Sequence, residues 1–296
     1  MIGTIRGEAG SLVWRLTKLW ERLCQFRQEL SGLVLDFRVN TLRQRLVFQD
    51  EFGFLYWLYP GDEVRLNCQR RNVLDSVGVV HFILHRTKRS DICIDIGAAS
   101  GAVSVPLMAQ CKSTGIVISV EADPAKIARI KANLELNHMP SKYVVNAAIS
   151  DRVEVREFRV FPDAPGWSTF GDPPFARAHD SHLVSVNCMD FVSLAEQYNL
   201  QHIDLVKIDV EGAEILVLTG MLPWLLEGRI RCVIFEVNPL MLPGLSGSVD
   251  ELLLMWQNLP YRLFRLTETG QLLALGTSWP TNQVGDCVAI LEDQPG

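Results

Sequence analysis

The chain has 296 residues, of which 48% are hydrophobic and 21% are charged, and its formal net charge is -6. This is the composition of a folded globular protein, and it excludes a disordered chain. The negative net charge produces no overall field that attracts phosphate backbones, so nucleic acid is not an expected partner.

Seven cysteines are scattered along the chain without a CxxC pair. An odd number without a metal-ligand spacing is typical of reduced thiols in a cytosolic protein, and it argues against a disulfide framework or a zinc site. No uninterrupted apolar stretch approaches the roughly 18 residues that span a bilayer, and charged residues interrupt the N-terminus where a signal peptide would need an apolar core. We therefore expect a cytoplasmic protein.

The first residues predict a long helix with one apolar stripe. Six leucines and a phenylalanine between Leu12 and Leu33 recur at alternating spacings of four and three. This stripe either packs on its own domain or contacts a membrane surface or a partner protein. Aromatic and aliphatic residues surround glycines at 46–66 and predict a small hairpin. Residues 1–85 are thus predicted to form a lobe ahead of a main domain at 86–296, and no feature of the sequence sets the oligomeric state.

After Ser90, strand and helix patterns alternate, which indicates an α/β domain with a mostly parallel sheet and helices on both faces. The predicted strands are Ile92–Ile96, Ile116–Glu121, Tyr143–Ala147, Val153–Val160, Ile203–Ile208, Arg231–Val237, Tyr261–Leu266 and Cys287–Leu291. The predicted helices are Gly101–Cys111, Pro124–Asn137, Cys188–Tyr198, Ala213–Leu218 and Val249–Asn258. The proline-rich stretch 161–182 predicts a loop, and a loop of this length suggests a lid over a site.

The stretch DICIDIGAASG, residues 91–101, ends a buried strand in a glycine turn that carries one acid, Asp95. In open parallel sheets, ligands bind beyond the carboxyl ends of the strands. A carboxylate there repels a pyrophosphate but suits a positively charged nucleoside such as S-adenosylmethionine. Glu121 ends the next strand about 20 residues past the turn, which is the usual spacing of a ribose-binding acid. We therefore expect S-adenosyl-L-methionine as the cofactor.

Further motifs follow the glycine turn: VEADP at 120–124, NAAISD at 146–151, GWS at 166–168, DLVKIDVEGAE at 204–214 and FEVNP at 235–239. In order and spacing this series resembles the FkbM family of S-adenosylmethionine-dependent methyltransferases over about residues 85–240. KIDVEG followed by Glu214 is its most specific element. The resemblance implies a class I methyltransferase fold, a Rossmann-like sheet of seven strands with one antiparallel strand near the edge. It also implies methyl transfer to a hydroxyl of a small molecule or glycan.

The resemblance implies which residues contact the cofactor. Asp209 falls beside the methyl donor, and one position departs from the family, because Ala99 stands where an Asn is usual. We expect this change to weaken cofactor affinity without abolishing activity, since backbone amides should dominate the turn. The remaining expected cofactor-binding residues are Asp95, Gly97, Ala98, Gly101, Glu121, Ala122 and Ala148.

A hydroxyl that accepts a methyl group must lose its proton, so a nearby carboxylate or imidazole should assist by roughly 10² to 10⁴. The predicted catalytic residues are Asp209, Glu211 and Lys207, although Lys207 has the alternative role of an ion pair with a neighbouring acid. Further candidates for the base are Glu236, His179 and His182. Asp209, Glu211 and Glu236 have the oxygen ligands that Mg²⁺ prefers, but no metal site is predicted.

Two other functions are compatible with such a sheet. A nicotinamide-dependent oxidoreductase or epimerase would need a GxGxxG turn and, in the short-chain type, a Tyr followed four residues later by Lys, and the sequence has neither. A catalytically inactive binding module that keeps the cofactor fold is favoured only by Ala99. Turnover with a labelled methyl donor distinguishes an active enzyme from such a module.

Overall fold

The computed structural model describes residues 5–62, 67–68, 77–162, 164–174, 176–276 and 278–292. Two compact units divide the chain: one lies within Met1–Gly53 and Trp57–Val73, and the other lies within Phe54–Tyr56 and Leu74–Gly296. The larger unit therefore includes residues of the 74–85 range that the sequence had assigned to the lobe.

The smaller unit contains the predicted helix and hairpin. Helix α1 spans Ile5–Asp36 and continues into a π-helical turn at Phe37–Thr41. Strands β1, Leu46–Gln49, and β2, Leu55–Leu58, pair in a two-stranded sheet. The remainder of the predicted hairpin, residues 63–66, lies outside the described residues.

The apolar stripe of α1 does not become core. Its described members are between 46% and 63% exposed, so the interpretation of the stripe as a packed face is wrong for Leu19, Leu23, Phe26, Leu30 and Leu33. The side chains at positions 12 and 16 lie outside the described part of the chain. The core of this unit instead forms around Val39 and Leu58, which are fully buried.

The larger unit is built on an eight-stranded sheet with the order β12-β11-β13-β10-β9-β3-β4-β5. Strands β5, β4, β3, β9 and β10 are parallel, and β13 runs antiparallel to both β10 and β11. The expected count of seven is wrong by one, because the three-residue β12 extends the edge beyond β11. The strand bounds are β3 Ile92–Ile96, β4 Ile116–Glu121, β5 Val144–Asn146, β9 Leu205–Ile208, β10 Cys232–Val237, β11 Tyr261–Leu266, β12 Leu272–Ala274 and β13 Gly285–Leu291.

Helices cover both faces of this sheet, as predicted. Successive residues of a strand point to opposite faces, so Ile94 and Ile96 join one apolar core while Cys93 joins the other. Helices α5, α6 and α7 supply the first core, and α2 and α3 supply the second. The helix bounds are α2 Val77–Arg86, α3 Ser104–Cys111, α4 Pro124–Leu136, α5 Phe191–Gln197, α6 Glu214–Leu226 and α7 Val249–Leu254.

A second sheet has three strands in the order β6-β8-β7, with β6 at Ala148–Ser150, β7 at Glu154–Val160 and β8 at His182–Asp190. Of these, β7 was predicted as a strand, whereas β8 overlaps the predicted loop and the helix predicted from Cys188. The prediction of a helix from Cys188 is wrong, because Cys188 pairs with Ala148 in the sheet. Helix α5 begins only after Asp190, whose carboxylate accepts a hydrogen bond of 2.8 Å from the Ser193 amide.

The bounds of other helices also differ from the predicted ones. The helix predicted from Gly101 begins at Ser104, and the helix predicted at Ala213–Leu218 extends to Leu226 although Pro223 lies inside it. None of the helices in the described ranges combines the length and the hydropathy needed to cross a membrane. All seven cysteines are free thiols, as predicted.

Candidate functional site

The glycine turn follows β3 at the carboxyl edge of the sheet. Gly97 has φ +83° and Gly101 has φ +81°, a region that side chains other than glycine rarely adopt. A Cβ at Gly97 would also lie 1.8 Å from the carbonyl oxygen of Asp209. Gly97 is therefore required because the backbone beyond β9 passes so close to the turn.

Most backbone amides of the turn donate hydrogen bonds to other groups of the protein. The Gly97 and Ala98 amides both donate to the Val120 carbonyl, the Gly101 amide donates to the Ala98 carbonyl, and the Ala99 amide donates to Glu121. The expectation that the backbone amides here serve the ligand is thus wrong for these four. Ala99 has φ +47°, which explains why a residue that tolerates the left-handed conformation, such as Asn, suits this position.

Asp95 lies beneath the turn. Only 1% of it is exposed, and its Oδ2 accepts a hydrogen bond of 2.5 Å from the Ser104 hydroxyl, which in turn accepts one from Ser119. Burial raises the pKa of Asp95 to about 7, and these hydrogen bonds tie the first residue of α3 to β3 and β4. In this arrangement Asp95 organises the turn and does not reach the surface.

Glu121 ends β4 and is held against the turn. Its Oε2 accepts the Ala99 amide and its Oε1 accepts the Asp123 amide, each at 2.8 Å. A carboxylate oxygen has two lone pairs, so each oxygen keeps one acceptor position. The side chain is thus fixed in place and can still accept two adjacent hydroxyls, which is what the ribose of S-adenosylmethionine presents. The residues present fit that cofactor.

Two asparagines that the sequence reading missed also build this edge. Asn133 of α4 is fully buried and donates to the Ser100 carbonyl at 2.7 Å. The side-chain amide of Asn146 donates to the backbone carbonyls of Glu121 and Ala122. The only available signal was that Asn133 lies between Ile130 and Leu134 on the buried face of its helix.

Ala148, predicted at the adenine edge, is only 7% exposed. It packs with Phe158, Val186 and Cys188 in the core of the three-stranded sheet. The neighbouring Ala122 packs against the same cluster while remaining half-buried. The structure thus places Ala122, rather than Ala148, at the more accessible position beside Glu121.

Three carboxylates converge beyond β9 and β10. Asp209, Glu211 and Glu236 each place an oxygen within 4.8 Å of the other two. Burial and the neighbouring carboxylates, Glu236 and then Asp209, raise the pKa of Glu211 well above its usual range, and burial followed by Asp209 does the same for Glu236. Glu211 itself has φ +51°, a strained conformation of the kind that clusters at functional sites. The sequence had named all three residues, and the structure brings them together.

Lys207 lies behind this cluster and is 2% exposed. Its Nζ is 3.0 Å from Asp286 and 3.3 Å from Asp209. Burial by itself lowers the pKa of Lys207, but the charges of Asp209 and Asp286 outweigh it and raise the pKa. Lys207 therefore stays protonated and orients Asp209, so of its two predicted roles the ion pair is the one the structure shows.

Glu214, at the start of α6, is fully buried. Its Oε1 accepts the amides of Val210 and Gly212, and its Oε2 has no hydrogen-bond partner among the described residues. Burial raises the pKa of Glu214 to about 7. The side chain of Glu214 therefore faces the interior of the protein.

The predicted loop at residues 161–182, whose last residue begins β8, is anchored beside the acidic cluster. The Thr169 hydroxyl donates to the Glu211 carbonyl at 2.7 Å, and the Asp172 amide donates to the Gly244 carbonyl. The ring of His179 contacts Trp167 edge to face at 5.1 Å. His182 lies exposed at the start of β8. The structure places neither imidazole among the three carboxylates.

Three features together define a class I methyltransferase. The parallel sheet has an antiparallel strand inserted near one edge, and the glycine turn lies beside an acidic residue placed to bind a ribose. Carboxylates cluster at the ends of the neighbouring strands. Residues 95–263, more than half of the chain, match the family described as the methyltransferase FkbM domain. The chain belongs to this family, which confirms the resemblance seen in its motifs. It is accordingly a methyltransferase whose methyl donor is S-adenosylmethionine.

Solved structures with a similar fold include three methyltransferases. Precorrin-6y C5,15-methyltransferase from Geobacter metallireducens is 13% identical, with 73% of this chain and 87% of that chain covered and a TM-score of 0.39. An S-adenosylmethionine-dependent O-methyltransferase from Thermotoga maritima is 15% identical, with coverage of 85% and 79% and a TM-score of 0.41. An O-methyltransferase from Bacillus cereus, solved with S-adenosylhomocysteine, is 11% identical, with coverage of 73% and 80% and a TM-score of 0.40. Similarities this low say nothing about substrate. A search of the curated proteins found no match.

Proposed function

We propose that this protein is an O-methyltransferase that transfers the methyl group of S-adenosylmethionine to a hydroxyl of a small molecule or glycan. The observation that carries the proposal is the group of carboxylates at Asp209, Glu211 and Glu236, at the same sheet edge as Glu121. Strands β4 and β9 flank β3, so their ends are roughly 10 Å apart. That distance suits a nucleoside bound at one strand end and its reacting methyl near the other.

The donor supplies a methyl group on a good leaving group, so the protein's main task is alignment, which can lower the barrier by about 7 to 11 kcal/mol. Glu121 fits the ribose hydroxyls because each of its oxygens keeps one acceptor position. The turn from Gly97 to Gly101 has left-handed backbone conformations at both glycines, which bring the chain around the end of β3. Asp95 and Asn133 hold that turn from below.

The second task of the protein is to remove the proton of the acceptor hydroxyl. A hydroxyl bound between the donor and the cluster would give its proton to a carboxylate as the oxygen attacks. The side chain of Asp209 is 40% exposed, and Lys207 fixes its orientation. Burial and repulsion raise the pKa of Glu211, which makes it a stronger base than an exposed glutamate. We assign Asp209 and Glu211 to proton transfer and Lys207 to positioning.

Turnover with a methyl donor that carries a ¹³C label tests this function. A host extract is incubated with the protein and the labelled donor, and products that gain one methyl are found by mass spectrometry and examined by NMR. A methoxy carbon signal is expected. Asp209→Asn should abolish most turnover while donor affinity stays near that of the wild type. A label on nitrogen or carbon, or no transfer to any compound, would contradict the proposal.

A further inference from the structure

The spacing of the three carboxylates matches a cation site. Mg²⁺ binds oxygen at about 2.1 Å and Ca²⁺ at about 2.3 to 2.6 Å, so oxygens on opposite sides of either ion are about 4 to 5 Å apart. The ligand oxygens of Asp209, Glu211 and Glu236 lie within 4.8 Å of one another, which is inside that range. Hard divalent cations prefer carboxylate oxygens and often keep several waters.

Charge balance is a separate observation that points to a cation. Glu214 is fully buried, and no residue in the described part of the chain donates a hydrogen bond to its Oε2. An unpartnered carboxylate oxygen in the interior is costly, because it has lost its water. The buried ammonium of Lys207 does not compensate for it, since that group already pairs with two other acids.

We propose that Asp209, Glu211 and Glu236 bind one divalent cation of the Mg²⁺, Mn²⁺ and Ca²⁺ class, with the unpartnered oxygen of Glu214 behind them. This differs from the expectation of no metal site. The ion's role in turnover rests on the proposed function: it would coordinate the acceptor hydroxyl beside the donor and lower the pKa of that hydroxyl. Acceptors with two adjacent oxygens would then be favoured, because they chelate the ion.

Binding of Mn²⁺ alone tests the site without any acceptor. The full-length protein is stripped with a chelator and titrated with Mn²⁺ by calorimetry and by electron paramagnetic resonance. Saturable binding of one ion is expected at or below about 1 mM, the weak end of protein Ca²⁺ sites. Glu236→Gln should weaken it at least tenfold, and Glu135→Gln, on the exposed face of α4, should leave it unchanged.

Folding is monitored in parallel. Because Glu236 is repelled by its neighbours, Glu236→Gln should raise the melting temperature of the metal-free protein, whereas Mn²⁺ should raise that of the wild type more than that of the variant. No Mn²⁺ binding, or equal binding by the wild type and Glu236→Gln, overturns the site. Methyl transfer that persists in the stripped protein without Mn²⁺ binding refutes the cation and leaves the methyltransferase intact. Binding of one Mn²⁺ ion without any methyl transfer would support the cation site and contradict the proposed methyl transfer.

A second surface is independent of the site. The five described residues of the stripe, from Leu19 to Leu33, are exposed and keep spacings of four, three, four and three, which is the heptad period of a coiled coil. Described residues 17–36 contain three basic and three acidic side chains, so the helix carries no net charge that would attract an anionic membrane. Arg22, Arg27 and Glu29 flank the stripe, so its edges carry charges of both signs that can pair between two identical helices.

From these features we infer that α1 pairs with α1 of a second copy of this chain. Sedimentation velocity of the full-length protein should give an oligomer, and Leu23→Glu with Leu30→Glu should give a monomer with unchanged helix content by circular dichroism. Glu21→Gln, on the face of α1 opposite the stripe, should not change the oligomeric state. A monomeric wild type overturns this pairing. Co-sedimentation of such a monomer with phosphatidylserine vesicles would assign the stripe to a membrane surface instead.

Discussion

Replacing Lys207 with Met removes the charge of a buried ammonium group that pairs with Asp286 and Asp209. Lys207 is 2% exposed and lies 3.0 Å from Asp286, which is itself only 6% exposed. Met keeps the length of the side chain, so the volume is nearly conserved while Asp286 loses its partner. Breaking one side of a buried ion pair typically costs about 3 to 5 kcal/mol, because the remaining charge stays in the interior without compensation. We expect Lys207→Met to lower the free energy of unfolding by that amount.

Equilibrium unfolding in guanidinium, followed by the fluorescence of the buried Trp224 and Trp256, measures this change in the larger unit. Arg152→Met is the matched control, because the Arg152 pair with Asp151 is shorter at 2.7 Å but the arginine is 65% exposed. Little change is expected there, since water screens exposed pairs.

The double variant Lys207→Met with Asp286→Asn extends the same test, because it removes both charges of the buried pair. It should recover part of the lost stability. If Lys207→Met is no less stable than Arg152→Met, burial does not set the strength of these pairs and the positioning role of Lys207 fails.

Three further predictions concern the turn. Gly97→Ala should destabilise the fold by at least about 1 to 3 kcal/mol from backbone strain alone, whereas Gly166→Ala, with open space around it, should be neutral in the same thermal melts. Asn133→Ala leaves the Ser100 carbonyl unpaired and should cost about 1 to 3 kcal/mol in chemical unfolding; an unchanged midpoint would refute its role as an anchor. Asp95 binds a proton more tightly when folded, with pKa about 7 against an ordinary 3.8, so its contribution to stability declines as pH rises through this window. Asp95→Asn should flatten that part of the stability profile, and an identical slope would contradict the assignment.

Sequence patterns predicted the structure correctly where residues close together in the chain determine it. Strands β3 and β4 have the predicted bounds because their runs of Val and Ile are flanked by turn residues. The spacing from the glycine turn placed Glu121 at the carboxyl edge, beside the turn that its carboxylate contacts. Asp209 and Glu211 are two residues apart, so their proximity needed no tertiary information.

Such patterns did not predict contacts between residues that are distant in the sequence. Strand β8 was read partly as loop and partly as helix, because its pairing with β6 joins residues about 40 positions apart. The partner of Lys207 lies 79 positions away, at Asp286, in a strand whose neighbour is set by the sheet order. The inward orientation of Glu214 depends on the turn at Gly212, where a Cβ would meet the Met241 carbonyl oxygen at 2.6 Å. None of these contacts has a periodic signature in the sequence.

Calorimetric titration with S-adenosylmethionine tests the central claim most directly, because that claim assigns the ribose to Glu121. The wild type should bind this ligand and show no binding of NAD. Glu121→Gln, which keeps the size of the side chain, and Glu121→Ala should both bind more weakly, the latter by about 1.5 to 3 kcal/mol as for a lost hydrogen bond to a charged group. Wild-type affinity in both variants while circular dichroism shows them folded, or binding of NAD in place of S-adenosylmethionine, would contradict the account.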